Sequence, residues 1–196
     1  MSKPLTGTAI QILVDEGKLR LDDRAADTFP GFDNDASREI TIEQLLTHRS
    51  GLPPTIMWTM QDFLGYPDLL SIANETGRRG PELNPGEKFW YSDAGTEVLG
   101  AIGEVISGQG LDEFITHRLL EPLGMSSSFS CMPRSGDDDL WERVASLYGG
   151  QIGSWTRFWT PNDPPFYAYA LGSQSLYSTP MDYARFLAMW MDTGLA

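Results

Sequence analysis

The chain has 196 residues, of which 41% are apolar and 21% charged, an ordinary composition for a globular protein. Its 27 acidic and 14 basic residues give a formal net charge of -13. Such an acidic surface repels phosphate backbones, so we expect no nucleic-acid partner. No apolar run approaches the roughly 18–20 residues that cross a bilayer, so no membrane span is expected. The single cysteine, Cys131, excludes an internal disulfide, and the two histidines lack metal-ligand spacing, so no metal site is expected.

The first part of the chain is predicted to be helical on either side of a turn-rich segment. A first helix is predicted over residues 4–16, with Gly17 at its end. Its apolar side chains spread over most of its circumference, so it needs cover on more than one side. An acidic stretch over 18–38 follows. The capping-box pattern from Thr41 to Gln44 then opens a short helix that stops near Ser50.

The remainder is also predicted to be mainly helical. Helices are expected over 59–76, 93–107 and 111–120, and a last helix opens at Thr179-Pro180 and ends near Gly194. The stretch 126–171 is rich in prolines and aromatic residues and shows neither helical nor alternating periodicity. Almost no run is suitable for a central strand, so the chain is predicted to be mainly α with little sheet.

Several blocks of sequence, taken together and in order, resemble one enzyme superfamily. They are similar to segments of the serine β-lactamases and penicillin-binding proteins, in the branch of class C β-lactamases, family VIII esterases and D-amino-acid peptidases. The resemblance implies an α+β parent fold with an antiparallel sheet flanked by helices and an all-α lobe. Residues 1–196 would then be one partial domain, with the first core helix and most of the helical lobe. The blocks are Lys3–Asp23, Leu45–Pro53, Pro85–Gly95, Pro122–Met125 and Leu176–Phe186.

The start of the chain resembles the S-x-x-K motif of that superfamily. A serine and a lysine at i and i+3 share one face at a helix start, where the amine can help to remove the hydroxyl proton. Lys3 matches the lysine, and the serine would precede Met1, because Ser2 adjoins Lys3 and does not share its face. The family's K-T-G or H-x-G strand motif has no match before Ala196. We therefore expect a fragment that is inactive by itself.

Tyr91-Ser92-Asp93 occupies the place of the family's Y-x-N motif. The resemblance implies that Tyr91 is a general base or proton shuttle beside Lys3. Asp93 stands where asparagine is usual, and an ionised carboxylate accepts hydrogen bonds but donates none. Asp93 is therefore expected to orient Lys3, to raise its pKa, and to disfavour strong β-lactam turnover. Aspartate is also a good N-cap, so Asp93 is expected to cap the following helix.

The resemblance implies acyl transfer through an acyl-enzyme on a small-molecule ester, amide or lactam, without metal or organic cofactor. The sequence leaves open which substrate, compartment and oligomeric state apply. One alternative is a non-catalytic homologue that acts as a binding or scaffold protein. Another is a free-standing helical interaction domain, which would have to cover the first helix with its own residues.

Three other features are interpreted structurally. His48 is expected to brace the Ser50-Gly51 turn rather than act as a base. The aromatic residues between Trp155 and Tyr169 either pack together or line a pocket. Asp137–Asp139 is expected to be a solvated loop.

Overall fold

The structure, a computed structural model, describes residues 1–132 and 138–191, except for the side chains at positions 60, 61, 63 and 138. Helices dominate these residues, as predicted, and the strands are short. Of the loop predicted over Asp137–Asp139, position 137 lies outside the described residues, and the rest is wrong, because Asp138 and Asp139 begin a short helix. The predicted helix end at Gly194 also lies outside the described residues. The helices are α1 (Ser2–Asp15), α2 (Ile42–Leu46), α3 (Met60–Gly65), α4 (Leu69–Arg79), α5 (Asp93–Ser107), α6 (Leu111–Ile115), α7 (Asp138–Glu142) and α8 (Pro180–Met191). The strands are β1 (Phe129–Ser130), β2 (Leu147–Gln151), β3 (Ser154–Trp159) and β4 (Leu176–Tyr177).

Helix α1 begins two residues and ends one residue earlier than predicted. The Gly17 N–H donates to the Val14 carbonyl at 2.9 Å, and the Lys18 N–H donates to the Leu13 carbonyl at 2.9 Å. Gly17 has φ 69°, which glycine adopts without a Cβ clash. This pair of bonds is a Schellman motif, and it satisfies carbonyls at the helix end.

The apolar surface of α1 is covered by the chain itself. Leu5, Ala9, Ile10 and Leu13 are buried, and the helix packs against α5 and α6. Ile12 and Val14 on its other sides are partly buried against the same core. A free-standing helical domain would have to cover α1 with its own residues, and the described residues do so. The burial of α1 therefore does not distinguish that alternative from a fragment.

The single helix predicted over 59–76 is wrong, because two helices occupy this region. Pro67 lies between α3 and α4, and its missing N–H and fixed φ disfavour a continuous helix. Asp68 caps α4 by accepting the Ser71 N–H at 2.7 Å. The second helix then continues to Arg79 before Gly80 turns the chain.

The segment 126–171 contains a hairpin that the sequence did not reveal. Strands β2 and β3 pair antiparallel, with Gln151 opposite Ser154 and a two-residue turn in which Gly153 has φ 85°. The glycines of β2 hide the alternating pattern that indicates a strand. Of the aromatic residues here, Trp159 is buried, whereas Trp155 and Phe158 are largely exposed. The hairpin therefore packs on the protein mainly at one end.

The segment 170–176 crosses the beginning of α1 and lies against α5. The Gly172 carbonyl accepts the Thr6 hydroxyl at 2.7 Å, and the Leu176 N–H donates to Ser2 Oγ at 3.1 Å. A Cβ on Gly172 would lie 2.2 Å from the Thr96 carbonyl oxygen of α5. Glycine therefore permits this segment to pass directly over the backbone of α5, next to the first turn of α1.

Candidate active site

Lys3 and the Tyr91–Asp93 segment meet at one place on the surface, where the starts of α1 and α5 adjoin. Lys3 Nζ lies 2.6 Å from Asp93 Oδ1 and 4.9 Å from the centroid of the Tyr91 ring. It also donates to the Ser173 carbonyl at 3.2 Å. All three residues singled out by the motifs are thus brought together. Ser173, from the segment 170–176, is a fourth residue of this cluster.

The position of Tyr91 follows from how α5 begins. Ser92, not Asp93 as expected, is the N-cap, because its Oγ accepts the Gly95 N–H at 2.8 Å. The same hydroxyl donates to the Pro53 carbonyl at 2.6 Å and is fully buried. Asp93 is instead the first helical residue, which frees its carboxylate to pair with Lys3. Tyr91 lies just before the cap, with half of its surface exposed.

His48 supports this segment from the other side. Its Nδ1 accepts the Ser92 N–H at 3.3 Å, and its carbonyl accepts the Trp90 N–H at 2.7 Å. Its ring lies 4.8 Å from that of Tyr91, centroid to centroid. These bonds reach residues 90–92 rather than the Ser50-Gly51 turn that was expected. Burial, and then the charge of Lys3, lower the pKa of His48, so the ring is neutral at pH 7.

The charge state of Lys3 is set by opposing influences. Burial, the largest of them, lowers its pKa, but the hydrogen bonds and charge of Asp93 together with Tyr91 outweigh it and raise the pKa above the ordinary value. This is the direction expected from Asp93. Lys3 is therefore an ammonium at neutral pH. The side chains of Lys3 and Asp93 keep 21% and 36% of their surface exposed, so small molecules can reach the site from solvent.

Glu97 is a further residue of this region that the sequence did not single out. It is fully buried one turn after Asp93, and it accepts the Gly172 N–H at 2.7 Å and the Ser173 N–H at 3.3 Å. The Ser173 hydroxyl also donates to it. Burial raises the pKa of Glu97 to about 7, against the hydrogen bonds that lower it. The sequence feature that could have identified Glu97 is its position on the apolar face of α5, beside Ala94 and Ala101.

Within residues 1–132 and 138–191, no group of three His, Cys, Asp or Glu side chains is arranged to hold a metal ion. Among the described helices, none is long and apolar enough to span a bilayer.

Comparisons with known proteins agree on one family. The family model described as Beta-lactamase matches residues 1–196. Penicillin-binding protein 4 of Amycolatopsis lactamdurans is 32% identical over 203 residues, which cover 100% of this chain and 50% of that protein. The chain therefore spans about half the length of this relative.

Solved structures give the same fold. The octameric penicillin-binding protein homologue from Pyrococcus abyssi superposes with a TM-score of 0.73 at 27% identity, over 98% of this chain and 44% of that one. The D-amino acid amidase from Ochrobactrum anthropi SV3, complexed with D-phenylalanine, has a TM-score of 0.72 at 23% identity, over 99% of this chain and 56% of that one.

Proposed function

Because the chain belongs to the Beta-lactamase family, we propose that it carries the proton-handling part of a serine hydrolase that transfers acyl groups through an acyl-enzyme. The observation that supports this most directly is the meeting of Lys3 with Tyr91 and Asp93 at an accessible surface. Lys3, Tyr91 and Asp93 are at the positions that the S-x-x-K and Y-x-N motifs imply. The nucleophile would be a serine three positions before Lys3, ahead of Met1.

The division of roles follows from the charge of Lys3. A lysine held as an ammonium has no lone pair with which to accept the serine proton. Tyr91 is the neighbouring group that can accept and donate a proton, so we assign it the role of proton shuttle. Lys3 then supplies positive charge beside the reacting oxygen, and Asp93 fixes its direction. We assign His48 a structural role, because its Nδ1 already accepts the Ser92 N–H.

The reaction proceeds in two steps. The serine oxygen forms a bond to the substrate carbonyl carbon, the bond from that carbon to the leaving alcohol or amine breaks, and the serine proton passes through Tyr91 to the leaving group. Water then attacks the acyl-serine by the same route, which releases the acid and returns the proton to serine. Neither step needs a metal or an organic cofactor.

The charges of the site favour neutral acyl substrates. Asp93 and Glu97 are two acidic groups near one ammonium, and Asp93 offers no amide N–H to a substrate carbonyl or carboxylate. We therefore propose a small uncharged ester or amide as the preferred substrate class, above a β-lactam, whose negative charge these acidic groups disfavour.

The test compares the 196-residue chain with a longer protein that includes its own upstream and downstream coding sequence. We expect covalent labelling by a fluorophosphonate and a burst of p-nitrophenol from p-nitrophenyl acetate only in the longer protein. Replacement of the serine three positions before Lys3 by alanine should abolish both signals. Labelling and burst kinetics of the 196-residue chain would contradict the need for that serine. A folded longer protein that has no serine there, or has one that remains unreactive, would instead support the non-catalytic homologue.

A further inference from the structure

Glu97 is a carboxylate in an unusual place, because it is buried in the interior of the protein. It lies next to a residue that contacts Lys3. It is 0% exposed, and its hydrogen bonds run to the N–H groups of Gly172 and Ser173 and to the Ser173 hydroxyl. A buried carboxylate is costly unless such donors surround it. The proton transfers proposed above make no use of it.

Ser173 connects this carboxylate to Lys3. Its N–H and hydroxyl both point to Glu97, while its carbonyl accepts the Lys3 ammonium at 3.2 Å. The neighbouring Gly172 is held on both sides, by Glu97 at its N–H and by Thr6 of α1 at its carbonyl. The orientation of the Ser173 carbonyl, and with it one of the contacts of Lys3, therefore depends on a side chain of α5.

We propose that Glu97 is a positioning residue for Lys3, which acts by holding Ser173 so that its carbonyl faces the Lys3 ammonium and by placing a charge that this ammonium senses. The role of Lys3 in acyl transfer rests on the proposed function, but the coupling of Glu97 to Lys3 does not. Asp93 orients the Lys3 ammonium from the exposed side, and Glu97 orients it from the interior.

The charge of Glu97 changes in the neutral range, because burial raises its pKa to about 7. The charged and titratable groups that interact with it are Asp93 on its own helix and Tyr167 and Tyr169 on the segment before Gly172. Lys3 on α1 is linked to it through Ser173, whose carbonyl accepts from the ammonium. Burial raises the pKa of both tyrosines to about 12, so they stay neutral in this range. Ionisation of Glu97 adds a negative charge on the Ser173 side of Lys3, which stabilises the ammonium.

A merely structural role would differ in one measurable way. If Glu97 only tied the 172–173 segment to α5, its loss would lower stability without giving Lys3 a pH dependence of its own. The test is a pH titration followed by NMR of the lysine side chains. The chain has only three lysines, at positions 3, 18 and 88, and K3R identifies the signal of Lys3.

We expect the Lys3 side-chain nitrogen signal to shift between pH 6 and 8, with the same midpoint as the Glu97 carboxyl carbon. Lys18 and Lys88 should show no such step. The step should vanish in E97Q and persist in E104Q. Glu104 is the matched control because it is also on α5 and also accepts a backbone N–H, that of Leu111 at 2.9 Å. Any step due to His48 should fall at lower pH, since its pKa is lowered.

A folded E97Q protein that keeps the Lys3 step would overturn the proposal, as would a wild-type Lys3 signal that ignores the Glu97 titration. If E97Q does not fold, the wild-type titration decides alone. None of these measurements involves hydrolysis. The coupling can therefore fail while the hydrolase assignment stands, and the hydrolase assignment can fail while the coupling stands.

Discussion

Asp93 Oδ1 lies 2.6 Å from Lys3 Nζ, closer to the ammonium than the Ser173 carbonyl at 3.2 Å. The relationship joins the first turns of α1 and α5, which are far apart in the chain. It also sets the protonation state of the amine, because the hydrogen bonds and charges of Asp93 and Tyr91 overcome the effect of burial on the Lys3 pKa. Asp93 therefore helps to hold Lys3 as an ammonium.

Replacement of Asp93 by asparagine removes that charge and should lower the pKa of Lys3. Since one pKa unit is a factor of ten in the neutral fraction, we expect acetylation of Lys3 by acetic anhydride at pH 8 to be up to about tenfold faster in D93N. The acetylated fraction of each lysine is measured on peptides from a proteolytic digest, and Lys18 and Lys88 serve as internal standards. D22N, which breaks only the exposed pair with Arg20, is the matched control. An unchanged Lys3 rate in a folded D93N protein would mean that Asp93 does not control the amine.

Tyr91 provides a test of the proton shuttle in the longer, serine-containing protein. Y91F removes only the hydroxyl from a side chain that is 51% exposed, so the melting temperature should stay almost unchanged. The kcat for p-nitrophenyl ester hydrolysis should fall by about 100-fold or more, a typical loss for a general acid or base, with little change in KM. Y148F, on the exposed hairpin, is the control and should retain full activity. Equal rates in Y91F and Y148F would assign the shuttle to another group.

The meeting of Lys3 and Tyr91 could be predicted only from the motifs to which the two residues belong. Periodicity located α1 and α5 to within two residues, because long apolar stripes with clear ends dominate both helices. It could not show that their first turns adjoin, or that residues 170–176 cross both of them. That passage has no periodic signature, since it relies on single contacts such as Gly172 against the backbone of Thr96.

The sequence analysis misjudged two residues near the start of α5. Ser92 takes the N-cap position because its hydroxyl also finds the Pro53 carbonyl, a partner distant in sequence. Asp93, an equally good cap by composition, is thereby left for Lys3. Glu97 escaped notice because a glutamate in a helix is usually solvated, and only its burial among apolar neighbours sets it apart.

The buried Glu97 should make stability depend on pH in a definite direction. Its pKa is about 7 in the folded chain and near 4.5 when unfolded. Between these values the unfolded chain loses a proton that the folded chain keeps, so the free energy of unfolding falls as pH rises through this window. The full effect is about 3 kcal/mol. Urea unfolding of wild type and E97Q at pH 5 and pH 8 should show that wild type loses more stability than E97Q over this range. Equal losses in the two proteins would indicate that Glu97 is already ionised at pH 5.

Gly172 tests whether the crossing over α5 builds the site. In G172A the new Cβ would lie 2.2 Å from the Thr96 carbonyl oxygen, and backbone on both sides would have to move. We expect a loss of about 1–3 kcal/mol in the free energy of unfolding, as overpacking typically costs. The Ser173 carbonyl should also shift away from Lys3, so the Lys3 NMR signal should change even where the protein stays folded. G65A is the matched control, because a Cβ there meets nothing within 4 Å, and it should leave the Lys3 signal in place. A stable G172A protein with an unaltered Lys3 signal would show that the segment reaches Lys3 without the close approach to Thr96.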